Sequence, residues 1–240
     1  MTQTTTSELF IKDVEFPPGD LLSDEPPLET DLHRKQIELL IRLLEWWWRD
    51  RQNFYASGNL TIYYSPNQRK SEDFRGPDFF VVLETERKDR KSWVVWQENG
   101  QYPNVIVEIL SDKTAVVDRG LKKQIYQNTF RTPDYFWFDP VTLEFQGFHL
   151  VDGQYQAIES TAQDWLWSQQ LELYLGIHET KLRFFTPEGE LIQSPEEEMS
   201  QQLEQERQLT EQERQRAEEA QQEVERLKAL LKAKGIEFEE

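Results

Sequence analysis

Ile37, Leu40, Ile41, Leu44, Trp47 and Trp48 recur at spacings of three and four, which predicts an amphipathic helix from about Asp31 to Arg51 with one wide apolar face. Glu38, Arg42, Glu45 and Arg49 fall mostly elsewhere. Three consecutive tryptophans cannot share one face, so Trp46 is expected to cover a neighbouring loop or a partner. Beyond Gly58 the period changes to two. Leu60, Ile62 and Tyr64 alternate with Thr61 and Tyr63, predicting a strand over Asn59–Tyr64. Pro77–Leu83 and Pro103–Leu110 carry continuous apolar runs, as strands buried on both faces do. Trp93–Trp96 reads as a short strand. A second helix is predicted from about Asp118 to Phe130, stopped by Pro133. Tyr135–Phe138 is a short aromatic strand. Leu143–Leu150 and Gln154–Ile158 form a hairpin through Asp152-Gly153, and Leu171–Leu175 and Lys181–Phe185 read as edge strands. Ser65–Arg75 and Arg87–Lys91 are polar loops. This order of helix, strands, helix, strands gives an α/β or α+β class with a mixed sheet.

The two ends follow other patterns. Residues 1–30 hold Pro17, Pro18, Pro26 and Pro27 among many acids, and read as an extended arm docked through Leu9, Phe10, Ile11 and Phe16. After Ser194, Glu and Gln dominate. Met199, Leu203, Ala217, Ala220, Val224, Leu227 and Leu231 fit a heptad register, with Glu206, Thr210 and Glu213 on the same seam. A long helix is expected here. Read functionally it is a coiled coil giving a homodimer or other self-association through residues 199–231; read plainly it is a solvated single helix. The expected division is an arm over 1–30, a main domain over 31–194 and a helical tail over 195–240.

Composition narrows the function. The 240 residues include 8 Trp, 8 Tyr and 14 Phe, too aromatic for a wholly disordered chain. No cysteine is present, which excludes disulfides, thiol catalysis and Cys-ligated zinc, and three scattered histidines argue against a His-based zinc site. No apolar run suits a membrane span and no secretory signal is visible, so the cytoplasm is the expected compartment. The formal charge of −18 opposes non-specific nucleic-acid binding. That charge is uneven: residues 1–30 carry −6, 195–240 carry −7, and the longer middle only −5. Within the middle, Arg69, Lys70 and Arg75 form one basic group, and Arg87, Lys88, Arg90 and Lys91 another. Each is either a solvated loop or a phosphate contact.

The chemistry rests on acids in apolar surroundings. Asp78 opens one buried strand, and Glu108 interrupts the apolar run of another. A buried carboxylate is costly without a counter-charge, and two together would repel unless a divalent cation reversed the sign. Oxygen-only ligands suit Mg²⁺ or Mn²⁺. A cation held by two carboxylates can activate water and stabilise charge on a phosphate. The following helix offers an amine: Asp118, Lys122 and Tyr126 share one face at spacings of four, and Lys123 points a quarter-turn away.

Pro77-Asp78, Glu108-Ile109-Leu110-Ser111, Asp118-Arg119-Gly120-Leu121-Lys122 with Tyr126, and Asp134-Tyr135-Phe136-Trp137-Phe138-Asp139-Pro140 together resemble the Uma family of restriction-endonuclease-like proteins, within the PD-(D/E)XK nuclease superfamily. The resemblance spans roughly residues 30–185. It implies an α/β fold with a restriction-endonuclease-like mixed β-sheet core of four strands flanked by helices, here with additional β-hairpins and a C-terminal long helix or coiled coil. It also implies that Asp78 and Glu108 are the metal-binding acids, that the Ile109 carbonyl is a third ligand, and that Lys122 takes the lysine role where Leu110 holds the usual position. His33 matches a histidine of structural or minor role. Glu38 or Glu45 is an upstream supporting acid. The loop Ser111-Asp112-Lys113-Thr114 departs from the family's common Ser-Pro-Ser-Thr, and Lys113 could share the part of Lys122. The family's frequent N-terminal Tyr-Glu-Leu hairpin is not evident.

Two functions follow. One is a Mg²⁺-dependent endonuclease (Mn²⁺ as substitute) cutting phosphodiester bonds, in DNA, by metal-activated water, with the basic groups guiding the backbone. The other is a catalytically silent nuclease-fold interaction protein whose coiled coil and Trp46–Trp48 bind a partner. A metal-dependent phosphoesterase acting on a small molecule would use the same site.

Overall fold

The structure is a computed structural model and describes residues 31–65, 74–111 and 118–233. The acidic arm lies outside the described residues. By its internal contacts the chain divides into two compact units, residues 1–192 and 193–240.

The first unit opens with α1 (Asp31–Trp47), which buries His33, Gln36, Ile37, Leu40, Leu43 and Leu44 along one stripe. Strands β1 (Phe54–Ser57), β2 (Ile62–Tyr63), β3 (Phe74–Arg75), β4 (Phe79–Leu83), β5 (Trp93–Val94) and β6 (Val105–Ile109) follow. A helical segment, α2, then joins one α-turn, Lys123–Ile125, to π-helical stretches on either side, Asp118–Lys122 and Tyr126–Phe130. Arg131 stops it in a left-handed conformation, φ 53°, two residues before Pro133. Six strands complete the unit: β7 (Asp134–Phe138), β8 (Phe145–Val151), β9 (Gln154–Ala157), β10 (Leu166–Ser168), β11 (Leu173–His178) and β12 (Lys181–Phe185).

The main sheet has the order β1-β4-β6-β7-β8-β9. Only β6 and β7 run parallel, with α2 as their crossover. Side-chain alternation assigns its two faces. Phe79, Val81, Val105, Val107, Ile109, Phe136 and Phe138 share a core with α1 and with the antiparallel sheet β10-β11-β12. Phe80, Val82, Ile106, Leu110, Tyr135 and Trp137 pack instead with Tyr126 and Phe130 of α2 and with Ile62 and Trp93 of the small β3-β2-β5 sheet. The architecture is mixed α/β.

Several sequence expectations change. Trp47 is 43% exposed rather than on the buried face, because the buried stripe ends at Leu44. Arg49 covers Trp46, and Trp48 packs edge-on against Phe54 at 5.1 Å. The strand expected over Asn59–Tyr64 contracts to two residues and leaves the main sheet. The edge position belongs to β1, whose four residues are too few to announce a period. Trp93–Trp96 turns after Val94. The strands near residues 171–185 pair with each other and β10 rather than edging the main sheet. The hairpin forms as read, with Asp152 and Gly153 both at positive φ, 49° and 79°.

The second unit is one helix, α3 (Pro195–Ala233). Its start is a capping box. The Glu197 N–H donates to the Ser194 hydroxyl at 3.2 Å, and the Glu197 carboxylate accepts from the Ser194 N–H at 2.8 Å. Ion pairs such as Arg214 with Glu211 and Glu218 line its surface.

Candidate active site

Asp78 stands just before β4. The β4–β6 register pairs Phe79 with Val107, so extending it would place residue 77 opposite Ile109. The Asp78 side chain fills that place: its Oδ2 accepts the Ile109 N–H at 2.8 Å. Its backbone is pinned from the other side. The Asn59 N–H donates to the carbonyls of Pro77 and Asp78, and Gly58 approaches so closely that a Cβ there would lie 2.4 Å from the Asp78 carbonyl oxygen. His33, in the first turn of α1, brings Nε2 to 3.0 Å from Asp78 Oδ1.

Glu108 is fully buried, and alternation along β6 turns it toward α2. Lys122 Nζ donates to Oε2 at 3.0 Å, and the Tyr126 hydroxyl donates to Oε1 at 2.6 Å. One helical turn separates the two donors, so a single helix face serves both carboxylate oxygens. The two acids are neighbours: continued one position past Phe79 and Val107, the β4–β6 register sets Asp78 opposite Glu108. Burial alone would raise the Asp78 carboxyl. His33 first, and then Lys122, outweigh it and hold Asp78 below the usual carboxylate range. Tyr126 is pushed well above its ordinary value, by burial first and by the Glu108 charge second. It therefore stays protonated and acts as a donor.

Asp78, Glu108, Lys122 and Tyr126 thus come together as the sequence suggested, and His33 joins them more intimately than a minor role requires. Its signal was present in the sequence: His33 precedes Ile37 by four, on the apolar face. Other expected members do not join. Glu38 is exposed and paired with Arg34, and Glu45 lies toward Arg87 at 3.9 Å. Both point off the buried stripe, because positions 38 and 45 sit between its rows. Lys113 lies outside the described residues, as does the Asp118 side chain. Lys123 turns away and sets its amine 3.3 Å over the Phe148 ring. Leu110 is buried in the α2-side core.

The basic groups fare unevenly. Arg69 and Lys70 lie outside the described residues, and Arg75 is half-buried with its guanidinium on the Phe74 carbonyl. Arg90 lies in a buried ion pair. Its side chain is 4% exposed, bonded to both Glu98 oxygens at 2.7 and 3.0 Å, and stacked over Tyr55 and Trp93. Its charge is committed to the core of the protein. Arg87 stacks on Phe54, and Lys88 pairs with Glu86. Lys91 is exposed.

The donor set fits a hard divalent cation. Asp78 and Glu108 set two buried carboxylates opposite each other, the oxygen donors that such an ion takes. No group of three or more His, Asp or Glu side chains able to hold a metal occurs among the described residues. The protein would contribute few side chains, the pattern of Mg²⁺ rather than of Ca²⁺ or zinc cages.

Residues 11–184 match the model of the Uma2 family, described as "Putative restriction endonuclease". The chain belongs to the Uma2 family. Among solved structures, a protein from Anabaena variabilis described as a putative nuclease belonging to DUF820 aligns with 12% identity and a TM-score of 0.47. The alignment covers 63% of this chain and 80% of that one. No curated protein matches the chain. No described helix is long and apolar enough to cross a membrane.

Proposed function

We propose that this Uma2 protein is a divalent-metal-dependent endonuclease that hydrolyses phosphodiester bonds in DNA. The observation that carries the reading is the convergence of Asp78, Glu108 and Lys122, drawn from a strand entrance, a strand interior and a crossover helix, in one buried cluster. Asp78 and Glu108, with the Ile109 carbonyl, would hold Mg²⁺ or Mn²⁺. Bound there, such an ion supplies Lewis-acid activation of water and neutralises phosphate charge.

The chain's own residues do the rest. Lys122 brings an amine against Glu108. Released from Glu108, it can orient the attacking water or face the charge that develops on the phosphate as the P–O bond breaks. Tyr126 fixes Glu108 through one oxygen and leaves the other for exchange. His33 and the Ile109 N–H hold Asp78 from two directions. With Arg90 committed to Glu98, backbone guidance falls to Arg87, Lys88 and Lys91 and to Arg69, Lys70 and Arg75, against a chain of net charge −18. Binding should therefore be weak and fall steeply with salt.

The test is a cleavage assay on single- and double-stranded DNA and RNA with Mg²⁺ or Mn²⁺. Metal-dependent cleavage lost in Asp78→Ala supports the reading; cleavage undiminished by Asp78→Ala refutes it. Calorimetry separates the non-enzymatic alternative. Absence of Mg²⁺ and Mn²⁺ binding, or binding that persists in Glu108→Gln, would favour an interaction protein.

A further inference from the structure

The helix α3 carries a surface that its own unit leaves open. Every residue from Met199 to Leu230 is exposed, including apolar side chains: Leu203 is 49% exposed, Val224 49% and Leu227 48%. These are not scattered. In one heptad register the a positions are Leu203, Thr210, Ala217, Val224 and Leu231, and the d positions are Met199, Glu206, Glu213, Ala220 and Leu227. Leu209 and Leu230, also exposed, fall at g and widen the seam at both ends.

The flanking charges indicate the occupant. The e positions are Ser200, Arg207, Arg214, Gln221 and Lys228; the g positions are Gln202, Leu209, Arg216, Glu223 and Leu230. A parallel, in-register second copy would set each g beside the e′ five residues on. At these flanking positions that yields Glu223 with Lys228′ and no like-charged pair. Glu206 and Glu213, at d, face their own copies across the axis, and each lies beside the partner's e residue, Arg207′ and Arg214′. An antiparallel copy that aligned the full length would instead place e against e′ and g against g′, with Arg214 facing itself and Arg216 facing itself. Shorter antiparallel overlaps keep like charges together as well: one over residues 206–231 sets Arg207 beside Lys228′, and one over 213–231 sets Arg214 beside Lys228′ and Glu223 beside itself.

We infer that α3 pairs with α3 of a second copy as a parallel two-stranded coiled coil over residues 199–231, about 50 Å long at 1.5 Å per residue. The Glu206 and Glu213 layers weaken it and fix its register, as polar residues in a seam do. Parallel pairing brings the two Pro195 ends together, so both first units are joined to the same end of the coil. The inference does not depend on the nuclease reading; it stands on α3 alone.

The full chain tests it. Light scattering across a dilution series should give about twice the 28.7 kDa chain mass for the wild type and the single-chain mass for Leu227→Glu. A wild type that is monomeric at tens of micromolar overturns the inference, as does a dimer that survives both Val224→Glu and Leu227→Glu. Exchanging both seam acids, Glu206→Leu with Glu213→Leu, should tighten the dimer at least tenfold; weakening it would refute the register. Because the chain has no cysteine, Leu203→Cys and Ala220→Cys each report orientation cleanly. Both should form an intermolecular disulfide on mild oxidation. Failure of both in a protein of dimeric mass would overturn the parallel arrangement. Unchanged circular dichroism in Leu227→Glu confirms that the helix itself remains.

Discussion

Among the described residues the first unit buries carboxylates at two places, and they are built oppositely. At the start of β7, Asp134 is 1% exposed and is met by the His149 Nδ1 at 2.7 Å, the Ser168 hydroxyl at 2.6 Å and the Gln170 N–H at 3.0 Å. It stitches β7, β8 and β10 together, and each partner is a donor or a histidine. Around Glu108 a second acid, Asp78, shares the same burial, and lysine, tyrosine and histidine meet the two of them. One site is a knot around a single acid. The other crowds two acids into one cluster. A buried acid is therefore no sign of chemistry by itself; a crowded pair is. Although Ser168, Asp134 and His149 include the residue types of a hydrolase triad, the serine donates to the aspartate and not to the histidine, and it is fully buried.

The largest expected difference is in rate. Asp78→Ala, Glu108→Gln and Lys122→Ala should each reduce metal-dependent cleavage by at least about 100-fold. Asp134→Asn should leave the rate of correctly folded protein within about threefold, since distant sites act independently. Single-turnover cleavage on quantified folded protein measures both, and a comparable loss in Asp134→Asn would erase the contrast.

Stability should run the other way. Asp134→Ala leaves the Ser168, Gln170 and His149 groups without an acceptor and should cost about 3–5 kcal/mol in urea unfolding. Glu108→Gln relieves the acid pair, so its cost should be smaller by at least about 2 kcal/mol. Next in size is Arg90→Ala, which strands Glu98 and uncovers Tyr55 and Trp93; about 2 kcal/mol is expected by the same unfolding measurement, without loss of the active-site geometry.

The smallest effect is acid titration. Asp78 sits below its ordinary value of 3.8 in the folded protein, so the folded state favours the charged form. The resulting stability is complete above that value and is lost as pH falls through the lowered folded value. A stability profile of Asp78→Asn should lack this component of the acid limb. An identical limb in both proteins would mean that His33 and Lys122 do not hold the charge.

Much of this was legible in the chain. Glu108 announced itself as a charge within Val105-Ile106-Val107 and Ile109-Leu110, where only a compensated acid can persist. Lys122 and Tyr126 followed from helical spacing, and the hairpin from Asp152-Gly153. What escaped was long-range. The union of Asp78 with the Ile109 N–H depends on strand register across 31 positions, which no local period encodes. The β1 edge and the β10 strand are too short to show alternation. Arg90 read as a loop cation because its partners, Tyr55 and Glu98, lie far apart along the chain. The π-helical turns of α2 likewise leave no mark that a 3.6-residue pattern would detect.

Leu110 carries a last consequence. It occupies the strand position two residues after Glu108 and is sealed in the core beside Ile106 and Trp137, while the amine arrives from the crossover helix. Strand and amine are therefore separately heritable parts. A change at Lys122 on α2 would leave the packing of the sheet intact, whereas a lysine placed at position 110 would have to thread a charge through hydrocarbon.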